Sequence, residues 1–232
     1  MRPVLALGFV VLGCSSTTTV QPTADSGTPD SGSDDAAEAA APPYVPAGYT
    51  AVPYLSADPG TRKYKAADQV LVAGKDYVAV LETDVGRIVL DLYEDRTPIT
   101  VNSFVFLALH HYYEGVAFHR VIDAFMAQTG DPKSIAGAPG TWGTGGPGYV
   151  FDVELFPDLK FDGPGVLGMA RGNTTDTNGS QFFITLVAYP SLDQNYTVWG
   201  KVKEGLDVLP KIVRGEPPTN PTRISIVTIA MK

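Results

Sequence analysis

From Phe118 to Lys203 the chain is cut into short apolar runs, at 117–122, 125–128, 166–170, 181–187 and 197–202, separated by Gly, Pro and Asn clusters. A long helix cannot survive that punctuation, because Pro removes a backbone donor and Gly is poor in helix interiors. Short strands joined by turns can. Upstream, Tyr77–Thr83 has strand composition, Asp84-Val85-Gly86 breaks it, and Arg87–Tyr93 resumes it, the pattern of a β-hairpin. Thr97-Pro98 then predicts a helix start, with Thr at the N-cap and Pro in the first turn. Val101, Phe104, Val105 and Ala108 follow at i, i+3, i+4 and i+7, one apolar stripe. Leu206, Leu209, Ile212 and Val213 suggest a second short helix beginning near Gly205, and 223–231 reads as a closing strand. The fold class predicted is mainly β: a closed eight-stranded antiparallel barrel capped by two helices.

The start of the chain differs in kind. Met1-Arg2-Pro3 is a short positive segment, and Val4 to Leu12 is apolar, long enough for a signal sequence and too short to span a bilayer. It ends in Val11-Leu12-Gly13-Cys14. Small residues before a lone cysteine resemble a bacterial lipobox, which implies a signal peptide at 1–13 and a diacylated thiol at Cys14. Two or three acyl chains hold a protein stably at a membrane, where one does so marginally. An ordinary cleaved signal peptide is the other reading. The expected location is the bacterial cell envelope, with the lipid anchor as the sole membrane contact.

Residues 14–66 are assigned as a lipidated tether rich in Pro, Ser, Asp and Ala, and 67–232 as the folded domain. Pieces such as Ser16-Thr17-Thr18-Thr19 and Ala39-Ala40-Ala41-Pro42-Pro43 bury too little apolar surface to offset their ordering entropy. Tyr44 to Gly74 carries Tyr44, Tyr49, Tyr54, Leu55 and Tyr64 among its prolines, and two readings stay open there: an extended strap on the domain, or more linker. The formal net charge of −8, without a basic run, provides no footprint for nucleic acid. With one cysteine, no intramolecular disulfide and no Cys-rich metal site can form. Gly143–Gly148 matches G-x-G-x-x-G but follows no strand, opens no helix and contains Pro147, so it is set aside as a dinucleotide signal. His119 stands apart from other ligand-type residues, and no metal or cofactor is expected.

The segment Phe118-His119-Arg120-Val121-Ile122-Asp123-Ala124-Phe125-Met126-Ala127-Gln128-Thr129-Gly130-Asp131 resembles the F-H-R-V-I signature of cyclophilin-type peptidyl-prolyl cis-trans isomerases. Asn178-Gly179-Ser180-Gln181-Phe182-Phe183-Ile184 resembles the second signature of that family. Gly143–Gly146, Gly165–Ala170, Leu192-Asp193 and Val198–Val202 fall at similar spacing between and after them. The resemblance, covering about Asp76 to Lys232, implies an enzyme that rotates X-Pro bonds in proline-containing polypeptides during the folding of extracytoplasmic proteins. It implies Arg120 as the catalytic residue, Phe125, Met126, Phe183 and Leu192 as floor and walls of a proline slot, and Gln128 and Gln181 as polar groups that hold the substrate backbone and brace the arginine. Ala170 and Arg171 fall on the edge that bonds the peptide main chain, and Tyr196 forms a further wall. Ser191 and Tyr196 stand where many eukaryotic members have Trp and His, which implies weak cyclosporin binding. A monomer is expected. A cyclophilin-like binding module with little turnover is the alternative, motivated by the same two differences.

Overall fold

A computed structural model describes residues 43–232; the signal segment, Cys14 and the tether up to residue 42 lie outside the described residues. Among the described residues the backbone forms one antiparallel sheet of nine strands: β1 Thr50–Ala51, β2 Tyr77–Thr83, β3 Gly86–Leu92, β4 Arg120–Ile122, β5 Met126–Thr129, β6 Val166–Met169, β7 Phe182–Thr185, β8 Val198–Glu204 and β9 Ile224–Met231. Their order is β1-β9-β2-β3-β8-β6-β7-β5-β4. Two helices accompany them, α1 at Pro98–Leu109 and the single turn α2 at Lys133–Ala136.

The predicted closed eight-stranded barrel is corrected on two points. The ladder ends at β4, which is not paired with the opposite edge, and only the bridges Val121–Gly215 and Ala117–Arg223 reach the segment before β9. That segment contains Pro217, Pro218 and Pro221, which have no N–H to donate, so it can supply scattered bonds and no ladder. The extra strand, β1, is two residues long and pairs Thr50 with Met231 and Ala51 with Ala230. The helix predicted from Gly205 is also corrected: Leu206–Val208 makes a turn and Leu209–Lys211 a single 3-10 turn, with no α-helix, because Pro210 has no N–H to continue one.

The hairpin of β2 and β3 forms in register from Val78–Asp91 to Thr83–Gly86. Helix α1 starts at Pro98 as predicted, but the Thr97 hydroxyl does not cap it and donates instead to the Tyr93 carbonyl at 3.2 Å. The Glu154 carboxylate caps it from a distant loop, accepting from the amides of Ile99 (3.1 Å) and Thr100 (2.8 Å). An anion at that helix end also complements the macrodipole. The predicted single stripe is too narrow: every residue from Thr100 to Leu109 is buried. Phe104 meets Trp199 at a centroid distance of 4.8 Å and Phe182 at 5.6 Å, edge-on to the latter, within the main core.

What covers the rest of α1 is the segment left open by the sequence. Residues 44–74 lie along the domain. Asn102 holds them by accepting from the amides of Val70 (2.9 Å) and Leu71 (3.3 Å) and donating to the Asp68 carbonyl (2.9 Å). The Leu55 amide donates to the carbonyl of Leu109 and the Val52 amide to that of Ile229, both at 2.8 Å. Arg62 donates to the carbonyls of Tyr112 and Glu114, each at 3.0 Å. These bonds supply partners to backbone that prolines prevent from forming a strand ladder.

Candidate active site

Side chains on a strand alternate between faces, and here the alternation sorts chemistry. Val121, Ala127, Phe182, Ile184, Leu167 and Met169 point into the main core. Their neighbours face the other way. Register places Arg120 opposite Gln128, Gln128 opposite Phe183, and Phe183 opposite Gly168, so one row crosses β4, β5, β7 and β6. Beside that row, Met126, Phe161, Val166, Phe183 and Val198 form a second apolar cluster, rimmed by the partly buried Phe125, Ala170, Leu192 and Tyr196. Thus the two signatures, far apart in sequence, become adjacent strands of one surface.

Within the cluster, Met126 and Phe183 are 2% and 5% exposed and form a floor. Phe183 stacks on Phe161 at 5.5 Å and meets Tyr196 edge-on at 5.9 Å. Phe125 packs against Tyr189 at 4.4 Å. Phe161 and Tyr189 were not singled out from sequence; they lie in loops where isolated aromatics carry no periodic signal. Gly168 is needed here for space, since a Cβ would overlap the Phe183 ring. Gly168→Val should tilt that ring off the strand and lower kcat/KM for a proline peptide on the order of tenfold or more, by analogy with other overpacked cores. Peptide kinetics, with aromatic NMR shifts of Phe183, check this; an unchanged rate contradicts it.

The polar half is built on Arg120 and two glutamines. Gln128 Nε2 donates to Gln181 Oε1 at 3.0 Å, and Gln181 Nε2 donates to the carbonyls of Gly143 (3.0 Å) and Gly145 (2.8 Å). Those carbonyls belong to the glycine loop set aside as a dinucleotide signal. Its conformation is held by the fully buried Asp131, which accepts from the amides of Lys133 (2.7 Å), Gly143 (2.5 Å) and Gly145 (3.0 Å). His119, also in the first signature, is 4% exposed, and burial holds its imidazole below its ordinary value, which favours the neutral ring.

Arg120 is held differently from the resemblance's implication. Neither glutamine bonds to it. Its Nε donates to Glu216 Oε2 at 2.8 Å, and this is its one hydrogen bond among the described residues. The side chain is 40% exposed, with its guanidinium carbon 5.9 Å from the Phe125 ring centroid. The terminal nitrogens therefore remain available beside the apolar rim. Glu216 was missed from sequence because it sits in the proline-rich loop before β9, outside both signatures. Arg171 lies over the Tyr196 ring at 4.7 Å and donates to the Asn195 carbonyl at 3.0 Å, so the two residues singled out there do meet. Ala170 donates its amide to the Gln181 carbonyl at 2.9 Å, which joins the β6 end to β7. A groove of about 480 Å³ runs between the glycine loop and Ala170-Arg171, with Gln128 and Gln181 in its wall. Ser191 is exposed on the turn at Pro190–Leu192.

The family model described as cyclophilin type peptidyl-prolyl cis-trans isomerase/CLD matches residues 78–230, which hold every strand after β2's first residue except the last residue of β9. The chain belongs to the cyclophilin family. Its activity is that of a peptidyl-prolyl cis-trans isomerase, the name carried by its relatives. It is 45% identical over 132 residues to peptidyl-prolyl cis-trans isomerase-like 1 of Homo sapiens, spanning 57% of this chain and 76% of that one. It is 46% identical over 132 residues to the isomerase-like 3 protein of Gallus gallus, spanning 57% and 79%. Among solved structures, a cyclophilin type isomerase of Cryptosporidium parvum superposes with TM-score 0.60 at 30% identity, covering 66% of this chain and 97% of that one. The same Cryptosporidium parvum enzyme was also crystallised in the presence of the dipeptide Ala-Pro. The cyclophilin domain accounts for β2 to β9; residues 43–74 of this cyclophilin lie outside the matched span and are packed onto it.

Proposed function

We propose that this cyclophilin isomerises X-Pro bonds of extracytoplasmic polypeptides at the surface formed by Arg120, Phe125, Met126, Gln128, Gln181 and Phe183. An X-Pro amide resists rotation by roughly 18–20 kcal/mol because the nitrogen lone pair is delocalised into the carbonyl. No bond breaks, so catalysis requires only that the twisted amide be bound better than either planar form. On twisting, the proline nitrogen becomes pyramidal and can accept a hydrogen bond. The Arg120 guanidinium, always charged and planar, presents donors without proton transfer. Met126 and Phe183 receive the ring, with Phe125, Leu192 and Tyr196 as its rim, while Gln128, Gln181, Ala170 and Arg171 line the run of the main chain. The single observation carrying this reading is the cross-strand row that sets Arg120 and Gln128 beside Phe183 over Gly168. A proline-limited refolding assay on the full chain tests it, and wild-type rates no better than those of Arg120→Ala would sink it.

Two further parts of the reading rest on the sequence. Val11-Leu12-Gly13-Cys14 supports a lipid anchor at Cys14 and a place in the bacterial cell envelope, facing the periplasm where there are two membranes. Cys14→Ser should move the protein from the detergent phase to the aqueous phase on Triton X-114 partition and remove the lipid mass from its N-terminal peptide; no change in either contradicts the anchor. Ser191, with no indole to pack or donate, supports weak cyclosporin binding. The exposed large apolar side chains, such as Leu55, Val72, Leu155 and Leu206, belong to separate segments, in keeping with a monomer.

A further inference from the structure

The strap formed by residues 44–74 does more than cover α1. Its Tyr64 amide donates to the Pro147 carbonyl at 2.7 Å, and its Lys63 Nζ donates to the Gly146 carbonyl at 2.6 Å. At Gly148 a Cβ would press on the Tyr64 carbonyl, so strap and glycine loop are in close contact. Arg62, one residue earlier, is tied to the carbonyls of Tyr112 and Glu114. Lys63 is thereby carried to the wall of the groove that also contains Gln128, Gln181 and Arg171.

The charges of that groove are one-sided. Lys63 and Arg171 are the charged side chains among its lining residues, and no Asp or Glu lines it. Of the acids on the segments that border it, Asp131 lies buried beneath the loop, bonded to its amides, and Asp176, which is outside the lining, accepts from the Thr174 hydroxyl. Lys63 spends one of its three donors on Gly146, and Arg171 keeps an Nη2 without a hydrogen bond among the described residues. In a chain of net charge −8, this is a local reversal of sign. Low-dielectric walls focus such a field on whatever occupies the groove.

We infer that Lys63 and Arg171 select polypeptides bearing an acidic side chain near the proline, and that the strap is a specificity element of the enzyme. This rests on the reading of Arg120 and its neighbours as the isomerase surface, because the groove shares Gln128 and Gln181 with it. The contribution is that of partly exposed ion pairs, which are modest and screened by salt.

The test uses the full chain and a set of X-Pro peptides identical but for one Glu, Gln or Lys, placed in turn at two positions on each side of the proline. Both kcat/KM and Kd from NMR titration are read. At the favoured position, wild type should prefer Glu over Lys by about three- to tenfold at low ionic strength, and the preference should collapse at about 0.5 M salt. Lys63→Glu should reduce or invert it, and Arg171→Glu, on the opposite wall, should do the same independently of strap packing. A wild-type Glu-to-Lys ratio near one at every position, or a ratio that neither variant changes, overturns the inference. Absence of turnover with every peptide would instead contradict the isomerase surface, and the Kd ratios would still decide the charge preference.

Discussion

Replacing Arg120 with alanine should lower kcat/KM for an X-Pro peptide on the order of 10²–10³, the loss seen when one preorganised donor is removed from other active sites. Rotation is the whole reaction, so the donor acts only on the twisted state, and the fall should appear in turnover more than in peptide affinity. On the proposed reading the proline ring is received by Met126 and Phe183, a buried apolar floor that the substitution leaves in place. Stability should barely move. The Arg120–Glu216 pair is exposed at both ends, 40% and 52%, and such pairs contribute at most about 1 kcal/mol. Arg120→Lys keeps the charge but loses the planar fork, so it should recover only part of the rate. NMR exchange spectroscopy on a proline peptide, with thermal melts beside it, measures all three quantities. A rate within a factor of about three of wild type would contradict a catalytic role.

Asp131→Ala should be strongly destabilising, by about 3 kcal/mol or more, since each buried donor left unpaired costs roughly 1–3 kcal/mol. The carboxylate is fully buried, and its loss strands the amides of Lys133, Gly143 and Gly145, which have no alternative acceptor in place. A domain of this size has total stability of roughly 5–15 kcal/mol, so the loss is a large fraction of it. The effect should also reach function, because Gly143 and Gly145 are the carbonyls that orient Gln181, and Gln181 orients Gln128. Asp131→Asn, with one acceptor oxygen retained, should fall between. Urea unfolding read by Trp fluorescence gives the free energies; a loss under about 1 kcal/mol for the alanine variant would show that water replaces the carboxylate.

Much of this was legible in the chain before any coordinates. The β2–β3 hairpin, the start of α1 and the placement of Arg120, Met126, Gln128 and Phe183 on short strands follow from local pattern, because alternation, Pro and Gly act within a few residues. Glu216, Glu154 and Lys63 were not legible as parts of the machinery. Each acts on a residue at a distance: Glu216 on Arg120, Glu154 on the first turn of α1, Lys63 on the glycine loop. The width of α1's buried face was misjudged for the same reason, since the strap that holds Asn102 and the Tyr149 hydroxyl that meets Ser103 come from outside the helix.

Local pattern therefore determined most of the strand segments and the start of α1, while the guanidinium beside a proline-sized apolar surface was what the resemblance of two short segments to a family implied. Only the tertiary structure decided that the sheet stops at β4, that a carboxylate from a proline-rich loop holds Arg120, and that the strap reaches the groove. The physical reason is that periodicity reports a strand's two faces, whereas ion pairs and hydrogen bonds between loops depend on where the whole backbone brings them, which no local pattern encodes.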